Sequence, residues 1–177
     1  MDRGLIQAIP ILLLAVILLI AAISDFRTRK IPNRLTFPTA AVGIIYHTCV
    51  SGWKGLLFST AGVVAGLALL MVFYLMGGMG AGDVKLMGAV GGLLGPEGVL
   101  AAFVGTALIG GIYAVGLLAV HGDLPDMVRR YGIMLKTFFF THRMVYIPPE
   151  NRESRPVLCY GLAIAIGTLL SVFIRVI

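Results

Sequence analysis

Long, uninterrupted apolar runs constrain this chain more than any other feature. From Leu5 to Ile23 there is no charged side chain at all, and comparable runs lie at about 35–50, 56–76, 99–120 and 157–176, with a shorter one at 84–94. Crossing the roughly 30 Å hydrocarbon core of a bilayer takes about 20 helical residues. With no water in that core, only helices or a closed barrel satisfy their own backbone groups. The runs are continuous rather than alternating, which selects helices over a barrel. With 59% hydrophobic and 12% charged residues, and a mean hydropathy of +0.99, no soluble domain of 177 residues could hide this much apolar surface. The expected architecture is all-α: a polytopic membrane protein of about six transmembrane helices, read over residues 1–177 as a single membrane-embedded domain.

Punctuation between the runs fits that count. The first run exceeds the apolar core of a signal peptide and shows no small-residue cleavage site before Asp25, so it reads as a retained span. Pro32 stops a helix from continuing, and Asn33 or Thr36 is expected to cap the next one. Ser51-Gly52-Trp53-Lys54-Gly55 makes a turn with an interfacial Trp, and Gly95-Pro96-Glu97-Gly98 makes another. Between His121 and Arg155, Arg129, Lys136 and Arg143 recur every seven residues, with Tyr131, Met134, Leu135 and Phe138 on another helical face. That pattern fits an interfacial amphipathic segment with its cations toward lipid headgroups; a solvated loop is the plainer alternative.

A net charge of +6 and a pI near 9.7 would suit a nucleic-acid binder. Here, however, the cations flank apolar spans instead of sharing one soluble face, so lipid is the expected partner and nucleic acid is not. Loops after the first, third and fifth spans hold Arg27, Arg29, Lys30, Arg34, Lys85, Arg129, Arg130, Lys136, Arg143, Arg152 and Arg155, against Arg3, Lys54 and Arg175 on the opposite side. The positive-inside rule makes the richer side cytoplasmic and puts both termini outside. Cys49 and Cys159 lie far apart in apolar segments with no CxxC spacing, so they read as buried structural thiols and no metal site is expected.

Two acids stand out. Asp25 ends the first span and Asp83 opens the short fourth segment, whereas Asp2, Asp123, Asp126, Glu97, Glu150 and Glu153 lie in polar loops or termini. Charge at a membrane boundary is costly enough to require a role. Singly, each aspartate reads more simply as a helix-terminal polar residue or cap. As a pair, two carboxylates in a low-dielectric site share a proton, one serving as base and the other as acid, and can activate water against a peptide carbonyl without metal or cofactor. Gly80 and Gly82 would let the backbone turn sharply and a substrate strand approach. Equally, the Gly78/Gly82 and Gly88/Gly92 spacings suit close packing of membrane helices. Two readings from other classes, a small proton-coupled transporter and a non-catalytic assembly subunit, remain open on these residues alone.

Gly78-Met79-Gly80-Ala81-Gly82-Asp83-Val84-Lys85-Leu86-Met87 resembles the GxGD signature of intramembrane-type aspartic proteases, and specifically that of prepilin peptidases. Asp25, followed by Arg27, Lys30 and Ile31-Pro32-Asn33, resembles that family's first aspartate and its basic segment, and Tyr160 to Gly167 is similar to its last span. The resemblance implies a membrane aspartic endopeptidase that cleaves the basic leader of prepilin or pseudopilin substrates at the cytoplasmic face of the bacterial inner membrane. It implies Asp25 and Asp83 as the catalytic pair, with Gly80, Gly82 and Lys85 in the loop that meets substrate. Larger members carry an insert with paired CxxC motifs and also methylate the new N-terminus. Neither motif is present here, which resembles the short, peptidase-only form associated with Flp/Tad pili and implies no N-methylation.

Overall fold

A computed structural model describes residues 3–76, 78–121, 129, 133 and 160–176. All described regular structure is helical: α1 (Arg3–Thr28), α2 (Asn33–Leu75), α3 (Ala81–His121) and α4 (Tyr160–Val176). Parts of α1, α2 and α3 (Pro10–Thr28, Asn33–Leu75 and Ala81–Leu117) are long and apolar enough to cross a membrane, and Tyr160–Ile174 is a shorter apolar helix. The described residues divide into two units. One comprises Met1–Gly110 with Cys159–Ile177, and the other is Gly111–Leu158. In the second unit α3 runs on to His121, and Arg129 and Ile133 are helical and exposed. The remainder of the amphipathic stretch expected at 121–155 lies outside the described residues.

At 43 residues, a straight α2 would extend for about 65 Å at 1.5 Å per residue, twice the hydrocarbon thickness. It does not run straight. Gly52 (φ 57°, ψ −136°) breaks it where the sequence predicts a turn, beside the exposed Trp53. Gly43 and Gly62, on opposite sides of that break, both face the Gly91–Gly92 region of α3, so the two arms fold back toward the same stretch. Gly95 (φ 73°) breaks α3 in the same manner, just before Pro96. Positive φ is nearly free for glycine and costly for other residues, so these two glycines set the corners.

Lipid is as apolar as leucine, so helices in a bilayer associate through close packing and hydrogen bonds rather than hydrophobic burial. That is the pattern here. Gly62 and Gly66 of α2 meet the backbone of Gly91 and Met87 of α3, and Gly105 of α3 meets Gly167 of α4, in each case too closely for a side chain to fit between. Pro96 has no N–H to give the carbonyl of Gly92. Ser59 Oγ donates to that oxygen instead, at 2.6 Å, and the neighbouring Leu93 carbonyl lies 2.9 Å from His47 Nε2. A polar seam at the corner of α3 is thereby satisfied from α2. The core it encloses is built from Leu14, Leu18 and Ala21 of α1, Leu70 of α2, Leu86, Met87 and Val90 of α3, and Ile164 of α4.

Three local expectations are corrected. The N-cap of α2 is Pro32, without a side-chain capping bond; Asn33 is already helical and Thr36 is buried. Gly88 and Gly92 do pack against α2, at Leu67 and Val63, but Gly78 and Gly82 form no such pair, since Gly78 precedes the helix and Gly82 faces Ile31. Cys49 is exposed rather than buried, whereas Gly43 and His47 of the same arm meet α3. Cys159 lies outside the described residues.

Candidate active site

Four helix ends supply the site. At the first, α1 reaches Thr28 and stops because Arg29 takes a left-handed conformation (φ 52°), its N–H donating to the carbonyl of Asp25 at 2.8 Å. The chain then crosses to α2 through a braced loop, with Ser24 Oγ and Thr28 Oγ1 both donating to the carbonyl of Lys30, at 2.9 and 3.2 Å. Asp25 sits inside the last turn of α1 and faces inward, only 7% exposed. Its Oδ2 accepts the main-chain N–H of Gly161, in the first turn of α4, at 2.8 Å.

Asp83 is 8% exposed and occupies the third helical position of α3. Its own N–H donates to the Gly80 carbonyl, and its Oδ2 accepts the Gly80 N–H at 3.1 Å. That is the returning half of a capping box, in which the third residue of a helix satisfies the backbone of the cap. Asp83 therefore does serve the helix terminus, though from inside it and not as the N-cap. The two carboxyls lie within electrostatic reach of each other, and Tyr160, half-buried at the start of α4, lies within reach of Asp83.

Neither Gly80 nor Gly82 has positive φ, so neither is needed for a sharp turn. Gly82 is needed for close approach, but to the chain itself: a Cβ there would lie 3.1 Å from Ile31 Cβ and 3.3 Å from Ile31 N. The Ile31-Pro32-Asn33 loop thus lies directly on the glycine-rich loop. Lys85 Nζ completes this junction by donating to Asn33 Oδ1 at 2.9 Å, and it stands 5.4 Å from the centroid of the Phe37 ring. Of the five residues singled out from the sequence, Gly80, Gly82, Asp83 and Lys85 fall at this junction, and Asp25 lies within electrostatic reach of Asp83. Asn33, Ile31, Tyr160 and Gly161 join them. The first two carried a signal in the Ile-Pro-Asn motif, and the last two open the stretch that resembles the family's last span, although nothing in that stretch pointed to a contact with Asp25.

The features so far define a helical membrane protein with two buried aspartates held at converging helix ends. The chain belongs to the type IV leader peptidase family, whose model matches residues 12–115, a range that includes both aspartates and stops before α4. It is similar to the prepilin leader peptidase/N-methyltransferase of Bacillus subtilis (strain 168), with 32% identity over 128 residues covering 68% of this chain and 51% of that protein. It is also similar to the protein of the same name from Aeromonas salmonicida (strain A449), with 31% identity over 117 residues covering 62% of this chain and 40% of that protein. The chain spans at most about half the length of these curated relatives. No solved structure matches it.

Proposed function

We propose that this chain is a membrane aspartic endopeptidase that removes the short basic leader from type IV prepilin-like proteins, with Asp25 and Asp83 as its catalytic pair. The observation that carries this reading is the burial of two carboxyls, on separate helices and within electrostatic reach of each other, in a leader-peptidase family member. One carboxylate takes a proton from water as the water oxygen attacks the scissile carbonyl, and the other, protonated, gives its proton to the carbonyl oxygen. Collapse of the tetrahedral intermediate breaks the C–N bond, and the proton taken from water passes to the departing amine. The Gly80–Gly82 loop and Lys85 stand beside the pair, where an extended leader would lie.

We read the two arms of α2, the two arms of α3, α1 and α4 as six spans of one membrane-embedded peptidase domain in the bacterial inner membrane. The distribution of Lys and Arg supports a cytoplasmic site with both termini outside. A basic leader emerging into the cytoplasm would then meet the aspartates where the pilin's own helix enters lipid. The paired CxxC motifs of larger family members have no counterpart in residues 1–177, which supports cleavage without N-methylation, as in the Flp/Tad-associated form.

The test is cleavage of a purified prepilin in detergent or vesicles. Asp25→Asn and Asp83→Asn keep the shape of each side chain and each should lower the rate by about 10²- to 10⁴-fold, the usual worth of a positioned acid or base. Either variant processing prepilin at the wild-type rate would overturn the assignment. Placement is tested separately: a single cysteine replacing Arg34 should label with an impermeant maleimide from the cytoplasmic side only.

A further inference from the structure

Asp25 is held by a residue from the far end of the chain, 136 positions away. The first N–H groups of a helix have no partner within it and must find one elsewhere. In α4 the Gly161 N–H finds the Oδ2 of Asp25. At 2.8 Å this is in the short range of hydrogen bonds made to carboxylates. The space matters as much as the bond. A Cβ at position 161 would lie 2.9 Å from Asp25 Cβ, 2.9 Å from its Oδ2 and 3.0 Å from its Cγ. Three atoms of one side chain would be crowded at once, and Asp25 has little room to turn away, being buried where α1 packs against α4.

We propose that Gly161 is a positioning residue for leader cleavage: its main-chain N–H fixes the Asp25 carboxyl, and its missing side chain leaves that carboxyl the place it occupies. This rests on the reading of Asp25 as one of the catalytic pair. The glycine is required here by the neighbouring acid, not by backbone conformation, since its φ is not positive. The α4 terminus therefore completes a site whose two acids come from α1 and α3. Among the described residues, the titratable groups within electrostatic reach of Asp83 include Asp25, from α1, and Tyr160, from α4.

Gly161→Ala should lower prepilin cleavage by about 10- to 100-fold, as expected for displacing a reacting group by up to 1 Å, and should move an inflection of the pH–rate profile. Gly167→Ala, in the packing seam of the same helix but away from Asp25, should reduce the amount of folded enzyme and scale the profile without moving it. A Gly161→Ala enzyme with the wild-type rate, or with a lowered but unmoved profile, overturns the proposal. A second measurement needs no change at Gly161. Amide exchange of the segment containing Gly161, in the full-length protein, should be at least about 10-fold faster in Asp25→Ala than in wild type, because Asp25 Oδ2 accepts the Gly161 N–H; equal exchange overturns the proposal. Wild-type cleavage by Asp25→Asn would instead refute the catalytic reading of Asp25, whatever the exchange rates show.

Discussion

Replacing Gly82 by alanine tests how the two sequence motifs meet. The new Cβ would lie 3.1 Å from Ile31 Cβ and 3.3 Å from Ile31 N, whereas comfortable carbon contacts are about 3.5–4.0 Å. The Ile-Pro-Asn loop must then retreat by about 0.5 Å, or α3 must shift by as much and carry Asp83 with it. Ile31 is buried in the core, so the shift is resisted, and overpacking of this kind costs about 1–3 kcal/mol. Replacing glycine within a helix returns up to about 1 kcal/mol, leaving a net loss of about 0–3 kcal/mol. Activity should suffer more: a 1 Å misplacement costs about 10²-fold, so half of that should cost about 10-fold. The internal control is Gly111→Ala, whose Cβ would meet nothing within 4 Å; its rate should stay within about twofold, as expected where no neighbour is crowded. The assay is the rate of prepilin conversion per folded enzyme, measured on protein recovered as a single species in detergent. A Gly82→Ala enzyme as fast as wild type, or a Gly111→Ala enzyme slower than Gly82→Ala, would refute the steric reasoning.

Two further outcomes concern stability. Ser59→Ala leaves the Gly92 carbonyl without its 2.6 Å donor, while Pro96 offers it no N–H, so thermal unfolding in detergent should show a loss of about 1–3 kcal/mol, the cost of an unpaired buried acceptor; an unchanged midpoint would mean that the carbonyl has another partner. Arg29→Gly relieves a left-handed conformation that costs a non-glycine residue about 1–2 kcal/mol, against about 0.5–1 kcal/mol of added backbone freedom in the unfolded chain. Stability should therefore hold or rise by up to about 1.5 kcal/mol, and a clear loss would contradict the role given to Arg29 at the end of α1.

The sequence by itself determined the helical class of structure and singled out the candidate site residues. Apolar runs as long as a bilayer is thick leave the backbone no option but helices, and a chain with so few acids makes Asp25 and Asp83 conspicuous by their depth alone. Gly52 and Gly95-Pro96 were legible as breaks because backbone freedom and a missing donor are properties of single residues. Capping was misread at α2, because several residues there could serve and only the folded loop selects Pro32. What the tertiary structure alone decided are the partnerships between segments: Asp25 with Gly161, Lys85 with Asn33, Gly82 with Ile31, Ser59 with the carbonyl that Pro96 leaves open. Each depends on how one helix is rotated and how closely it approaches another, and no window of sequence contains that rotation. In a bilayer it is set by where backbones can touch, so the glycines that read as a flexible loop or a generic packing motif acquire definite roles only once their neighbours are in place.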